Sequence, residues 1–336
     1  MQPIQPKPLF KERIESLLTD KSDREAFWEI IRKPPVNSIR CNTLKISAEK
    51  LKARLEKKWK IKQPFKSHPE TSDFSKNKKS DSHQETGFPE VMIIESQLLP
   101  GELGKSTEHL LGYYYVQEIS SMLPMLALSP KPGELFLDLA AAPGSKTTQA
   151  AVMMNNQGTI IANDVNLGRI SILSANLQKV GATNTIITRH DGVILCNKLK
   201  NLGMKFDKIL VDAPCSGEGN LRSNPKTFLM WNIKAIKKLS RIQKKLASSA
   251  LEILKSGGEM IYSTCTHSPE ENEEVIQYLL DNYDIEIQPI DLPLKTRPGL
   301  TSWQDSKFSN ELKKACRVYP QDNNTEGFFL CKIKKK

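Results

Sequence analysis

The sequence predicts an α/β protein whose larger part is a mostly parallel sheet with crossover helices, and three observations carry that prediction. From about Lys131 onward, short β-branched or aliphatic runs alternate with longer amphipathic ones, which is how strands joined by helices read in sequence. Several of those runs end in an aspartate or a small-residue loop, where an open α/β sheet presents its ligand-binding edge. Finally, 336 residues with 38% hydrophobic and 26% charged side chains suffice for two domains with full cores.

In chain order, Leu9, Ile14, Leu17, Leu18, Phe27, Ile30 and Ile31 recur at spacings near 3.6. They predict two short amino-terminal helices, within residues 1–35, that end before Pro34-Pro35. Residues 37–45 read as a strand, Ser47 as the cap of a helix reaching about Trp59, and the run from Pro89 as another strand. Together they define a small α+β module over residues 36–110. Within it, residues 66–88 hold four lysines and four acidic residues and few aromatics, so they read as a mobile insertion without net basic pull.

A third region, residues 111–336, carries the alternating pattern. Its expected strands are 135–139, 159–163, 185–188, 208–212 and 259–264, with further strand-like runs at 317–319 and 327–333. Helices are expected to begin near Lys146, Leu167 and Lys234, the last running towards Lys255 before Gly257-Gly258, and another follows Pro269.

The loop after the first of these strands runs Ala140-Ala141-Ala142-Pro143-Gly144-Ser145-Lys146, and its small residues let a ligand approach the backbone at a helix amino terminus. A phosphate-binding P-loop would need a glycine directly before the lysine, where Ser145 stands, and no GxGxxG is present. A connection with no ligand at all fits this segment equally well. Asp164 ends the next strand, 26 positions after Asp138, where a carboxylate can accept both hydroxyls of a ribose. Arg169 can orient that carboxylate. Asp191, after the third strand, suits an adenine amino group, although alone it reads as a turn residue. A nucleoside cofactor without a required pyrophosphate, with carboxylates to favour a sulfonium, points to S-adenosyl-L-methionine.

Asp212-Ala213-Pro214-Cys215-Ser216 follows the fourth strand and Ser263-Thr264-Cys265-Thr266 the fifth, placing two cysteines 50 positions apart at neighbouring strand ends. A thiolate that adds to carbon-6 of a cytosine makes carbon-5 enamine-like, and Asp212 is placed to stabilise charge at N3. These residues leave open which thiol attacks. Cys41, Cys196, Cys316 and Cys331 read as small buried hydrophobes.

Charge favours a polyanionic partner: 49 Lys and Arg against 38 Asp and Glu leave +11. No CxxC pair and no clustered histidines speak for zinc, and the cysteine spacings do not suggest a disulfide framework. Without a long apolar run or a signal-peptide pattern, a cytoplasmic location away from membranes is expected.

The segments AAAPGSKT, DAPCSGEG and STCT with PEENE, and the closing RVYP and GFF, resemble the Sun/Nop family of RNA cytosine-5 methyltransferases, in order from about Asn37 to Lys334. The resemblance implies a class I methyltransferase (Rossmann-like) fold, with a mostly parallel seven-stranded sheet flanked by helices and a small α+β amino-terminal RNA-binding module. It also implies S-adenosyl-L-methionine as donor and RNA as partner. It makes Cys265 the nucleophile and gives Cys215 a part in product release. Ala140 to Lys146, Asp164, Arg169, Asp191 and Asp212 would contact the cofactor, Asp212 and Lys146 would approach the base, and Asn272 would brace the nucleophile loop. The segment Asn37–Asn42 with Arg40, and Gln117–Ser121, would belong to an RNA-facing part. Ala140 and Ser145 depart from the family's usual cysteine and glycine. Transfer RNA is preferred to ribosomal RNA because one compact module suits a small substrate, and a monomer without metal is expected. Two other readings remain in view. A non-catalytic RNA-binding assembly factor has no need of two placed thiols, and a nicotinamide-dependent oxidoreductase fits the sheet but not the loop.

Overall fold

The computed structural model describes residues 5–65 and 87–336, so the insertion expected at 66–88 lies outside the described residues except for its last two. The chain divides into two compact units, Val36–Gln117 and the remainder, in which residues up to Pro35 join Glu118–Lys336.

In the smaller unit, β1 (Asn37–Cys41) runs antiparallel to β3 (Val91–Ile94) and β4 (Tyr114–Val116), and β2 (Ile61–Lys62) pairs with the other edge of β3. Ser47 caps the helix Ala48–Leu55 by accepting from Lys50 N at 3.4 Å. That helix stops a turn short of Trp59, which is itself buried against Leu51 and Leu55 in a core with Ile39, Met92 and Tyr114. Arg40, expected in an RNA-facing stretch, is buried: it donates to Gln117 Oε1 at 2.5 Å and lies over the Tyr115 ring. Its role here is to hold β1 to the end of β4. Because β4 completes this sheet, the unit closes at Gln117 and not at residue 110.

The larger unit is a nine-stranded mixed sheet. Its parallel part contains β5 (Leu135–Asp138), β6 (Thr159–Asn163), β7 (Thr185–Thr188), β8 (Phe206–Asp212) and β9 (Leu254–Thr264), in the order β7-β6-β5-β8-β9. Strand order reverses between β5 and β8, which opens a crevice at their carboxyl ends. Beyond β9 lies β15 (Phe328–Lys335), antiparallel. Its far edge is shared end to end by β10 (Ile285–Gln288) against Lys332–Lys335 and by β14 (Cys316–Val318) against Phe328–Leu330. With β10 the core has the expected seven strands. The additions are β14 and β11 (Arg297–Pro298), while β12 (Ser302–Trp303) and β13 (Ser306–Lys307) form a separate hairpin.

Two differences from the expected elements have physical causes. The helix from Ile233 ends at Ile253, before the glycine pair, because Leu254 already pairs with Phe206 in β9, and a register shift absorbs the segment before Glu259. A helix at Gly192–Asn201, absent from the sequence reading, joins β7 to β8 as the crossover requires; Asp191 caps it, accepting from Val193 N and Ile194 N. Helices Pro8–Leu17 and Lys21–Ile30 match expectation, and Phe10, Ile14 and Phe27 pack with Leu221, Phe228, Trp231 and Tyr319 of the same unit. The main core lies between the sheet and the helices Gly192–Asn201 and Ile233–Ile253, around Leu137, Phe206, Ile209, Leu251 and Tyr262.

Candidate active site

The loops after β5, β6, β7, β8 and β9 converge on one cleft of about 950 Å³, within the range of small-molecule sites. On one side, Ala140 and Ala142 line it, while Ala141, Pro143, Gly144, Ser145 and Lys146 are not part of its wall. Those residues shape the turn: Ala141 N donates to Asn163 O at 2.7 Å and Gly144 N to Ala141 O at 2.8 Å. Gly144 sits at φ 105°, where an added Cβ would stand 2.9 Å from Leu173 Cδ1, so only glycine fits between loop and helix Leu167–Val180.

Asp164 is buried and faces this cleft; its Oδ1 accepts from Asn166 N at 2.9 Å, and its Oδ2 lies 3.2 Å from Arg169 Nη1 but accepts no hydrogen bond. Arg169 also donates to Ala142 O, tying the carboxylate to the small-residue loop. Asn163, which sequence reading passed over, holds three loops at once. Its Nδ2 donates to Leu139 O and His190 O at 3.1 and 3.0 Å, and its Oδ1 accepts from Thr188 Oγ1 and His190 N. Asp191 lines the cleft as well as capping its helix, with both caps taken by Oδ1. A buried carboxylate oxygen without a hydrogen-bond donor, facing the cleft beside the small side chains of Ala140 and Ala142, fits a hydroxyl-bearing nucleoside cofactor.

On the other side of the cleft lie Asp212, Cys215 and Cys265. Asp212 Oδ1 accepts from Ser263 Oγ at 2.7 Å and its Oδ2 pairs with Lys146 Nζ at 2.7 Å. Lys146 is buried, donates to Ser121 Oγ at 3.1 Å and lies over the Phe328 ring. Burial alone would lower its pKa, but the charge and hydrogen bond of Asp212 outweigh that and hold it above the usual lysine value. Asp138, beneath the loop at 1% exposure, receives Thr147 Oγ1 at 2.7 Å on Oδ2. Burial, with Asp212 adding a like charge, pushes it up to about 7.

The two thiols meet: Cys215 Sγ is 3.3 Å from Cys265 Sγ, which also receives Asn220 Nδ2 at 3.1 Å. Cys215 is pushed well above its ordinary range, first by its hydrogen bond to Cys265 and then by desolvation. The other four cysteines are fully buried, and burial raises each, Cys41 and Cys196 to about 12.

Both thiol loops are braced by side chains outside them. Asn272 Oδ1 accepts from Thr264 Oγ1 at 2.6 Å and its Nδ2 donates to Thr266 O at 2.9 Å, so it clamps the residues on either side of Cys265. Glu271 Oε2 accepts from Ser216 N at 3.0 Å and Gln243 Nε2 at 2.9 Å; the same Gln243 nitrogen donates to Pro214 O at 2.8 Å. Gly219 N donates to Cys265 O at 2.8 Å and Gly327 N to Gly219 O at 2.9 Å, an approach that leaves no space for a Cβ at residue 219. Asn220, Gln243 and Glu271 were not singled out from sequence. Asn220, directly after DAPCSGEG, and Glu271, inside PEENE, had a motif to mark them, and Gln243 had none.

A parallel core with a switch-point cleft, acidic strand ends on one side and two facing thiols on the other is the architecture of a class I methyltransferase. Comparison with known proteins narrows this. A family profile described as "16S rRNA methyltransferase RsmB/F" matches residues 125–334. The chain is 42% identical over 313 residues, 93% of its length, to a protein of Pyrococcus abyssi named tRNA (cytosine(49)-C(5))-methyltransferase, of which it covers 92%. It is 36% identical over 97% of its length to the ribosomal RNA small subunit methyltransferase F of Psychromonas ingrahamii, of which it spans 62%. A methyltransferase homologue from Pyrococcus horikoshii superposes with a TM-score of 0.80 at 36% identity, covering 98% of this chain and 95% of that one. NSun6 from Pyrococcus horikoshii, determined with SFG, gives 0.77 at 26% identity, with 98% of both chains covered. The chain belongs to the RsmB/F (Sun/Nop) family and is an RNA cytosine-5 methyltransferase that uses an S-adenosylmethionine-like cofactor.

Proposed function

We propose that the protein transfers a methyl group from S-adenosyl-L-methionine to carbon-5 of a cytosine in transfer RNA through a covalent bond between Cys265 and carbon-6. The observation that carries this reading is the Cys265 sulfur itself, which sits 3.3 Å from a second thiol and 3.1 Å from an amide donor in the cleft that Asp212 and Asp164 share. Transfer RNA is favoured over ribosomal RNA by the higher identity to the archaeal relative, 42% against 36%.

Asp164, steadied by Arg169, would hold the ribose hydroxyls, Ala140 and Ala142 would lie against the cofactor, and Asp191 would receive the adenine amino group. When bound, the cofactor supplies an electrophilic methyl group. The target base must leave its stack to reach the cleft. As the Cys265 sulfur, its proton released to water, adds as a thiolate to carbon-6, the electron pair of the 5,6 double bond moves to carbon-5 and charge spreads to N3. A proton shared across the 2.7 Å Lys146–Asp212 pair provides the donor for that nitrogen. Once carbon-5 is methylated, its proton must leave while the carbon-6 to sulfur bond breaks and the double bond re-forms. Cys215 is placed to take that proton. The largest cause of its raised pKa is the hydrogen bond to Cys265, and bonding of that sulfur to carbon weakens this cause, so Cys215 ionises more readily in the adduct than in the free enzyme. The smaller unit would face the RNA, on the family resemblance and on seven Lys or Arg against one acid in residues 50–62.

The test is transfer of a labelled methyl group to unmodified transfer RNA and, separately, to ribosomal RNA, by wild type and Cys265→Ala, followed by nucleoside analysis. Label in 5-methylcytosine of transfer RNA that disappears in Cys265→Ala is expected. Label confined to ribosomal RNA would overturn the acceptor, and undiminished transfer by Cys265→Ala would overturn the nucleophile.

A further inference from the structure

Between Glu218 and Glu252 the chain has no acidic residue and eight Lys or Arg, so most of the molecule's +11 is concentrated in one tenth of its length. The centre of this stretch is the helix Ile233–Ile253. At 3.6 residues per turn, Lys234, Lys237, Lys238, Arg241 and Lys245 fall within an arc of about 100°. All five are exposed, and among the described residues none has a carboxylate within ion-pair distance; Lys244, off the stripe's centre line, is paired with Glu274 at 2.8 Å. The opposite face, with Ile236, Gln243, Ala247 and Ala250, is buried in the core. An arrangement of like charges that repel one another, without intervening acids, costs stability and is explained by a polyanion that covers it.

Position says which polyanion. Lys245, at the end of the stripe, lines the same cleft as Cys215 and Cys265. From Lys234 to Lys245 the helix rises about 16 Å, the length of roughly five nucleotide steps along a duplex strand. An anionic bilayer fits less well, because the helix's apolar face is already buried and has nothing to insert.

We propose that this face of the helix tracks the phosphodiester backbone of the substrate RNA leading to the flipped cytosine, with Lys245 at the point where the strand enters the cleft. The proposal rests on RNA being the acceptor and adds where its backbone runs.

The experiment compares wild-type protein with the quadruple variant Lys234→Gln, Lys237→Gln, Lys238→Gln and Arg241→Gln, which leaves Lys245 and every cleft residue intact. Affinity for an unmodified transfer RNA transcript is measured between about 50 and 200 mM salt, a range in which phosphate contacts dominate the salt dependence. At about 0.7 of slope per single-strand contact, four lost contacts lower the slope of log K against log salt by about 3, so wild type loses roughly 50-fold more affinity than the variant over that range. KM for RNA should rise while kcat and calorimetric binding of S-adenosyl-L-methionine stay within twofold. An unchanged slope and KM would overturn the proposal, as would RNA binding equal to wild type with loss of binding to phosphatidylserine vesicles, which would assign the face to lipid. If wild type itself neither binds nor methylates RNA, the acceptor reading falls first and this one with it. An unfolding midpoint in urea equal to wild type excludes misfolding as the cause.

Discussion

Asp138→Asn isolates a cost that the fold carries beneath its cofactor loop. Asp138 is 1% exposed and has one hydrogen bond on Oδ2, from Thr147, while Oδ1 is buried with no hydrogen-bond partner. Its carboxyl is raised from 3.8 to about 7 in the folded protein, by burial first. A raised acid binds a proton in the folded state that the unfolded state has released, so its contribution to stability falls as pH rises from the unfolded to the folded pKa. With those two values, wild type should lose about 2.6 kcal/mol from this group between pH 5 and pH 8, at 1.36 kcal/mol per unit. Asparagine keeps the acceptor for Thr147 and never ionises, so the variant should lose none of it. Urea unfolding of both proteins at pH 5, 6, 7 and 8 gives the difference directly, because titrating groups that do not interact with Asp138 cancel in the subtraction. Wild type should approach or fall below the variant as pH rises. A gap that stays constant within about 0.5 kcal/mol across this range would show that Asp138 is ionised in the folded state, and the reasoning from burial would fail.

Three other predictions follow from named contacts. Arg317→Met should cost about 3–5 kcal/mol, because Glu273 is fully buried and loses both its 2.5 and 2.6 Å partners; the double variant with Glu273→Leu should recover more than half of that in urea unfolding. Cys215→Ala should accumulate a protein–RNA adduct that migrates slowly on a denaturing gel, and absence of the adduct with transfer intact would remove the release role. Gly144→Ala, at φ 105° and with Leu173 Cδ1 at 2.9 Å, should destabilise by about 1–3 kcal/mol and weaken cofactor binding by calorimetry while leaving RNA affinity unchanged.

The parallel sheet was legible because each of its strands is a short aliphatic run with punctuation at its carboxyl end, and the cleft residues Asp164, Asp191, Asp212, Cys215 and Cys265 stand at that punctuation. The missed helix Gly192–Asn201 begins with an unbroken apolar run, Gly192-Val193-Ile194-Leu195-Cys196, which has no helical period to read. Gln243 was out of reach for another reason: it meets Pro214 and Glu271 across 29 and 28 positions, and one glutamine on a lysine-rich helix signals nothing locally; Glu271 stands inside PEENE, but its partner Ser216 lies 55 positions away. The unit boundary was misplaced at 110 because Tyr114–Val116 resembles the start of the next region, and only its pairing with β1 assigns it to the smaller sheet.

The seam joining Gly327, Gly219 and the carbonyl of Cys265 has a consequence for how the cleft can lose order. β15 lies between β9 and the strands β10 and β14, and Arg317 on β14 holds the carbonyl of His267 at 3.0 Å, two residues past Cys265. The loop bearing Cys265 is therefore held by strands that follow it in sequence, β14 and β15. The cofactor loop is shaped by β5, β6 and β7, whereas the sulfur of Cys265 is held in place only when β15 has paired with β9. Local opening of β14 and β15 would thus free the loop of Cys265 while the cofactor-side scaffold stays folded, so the two sides of the cleft can lose order separately.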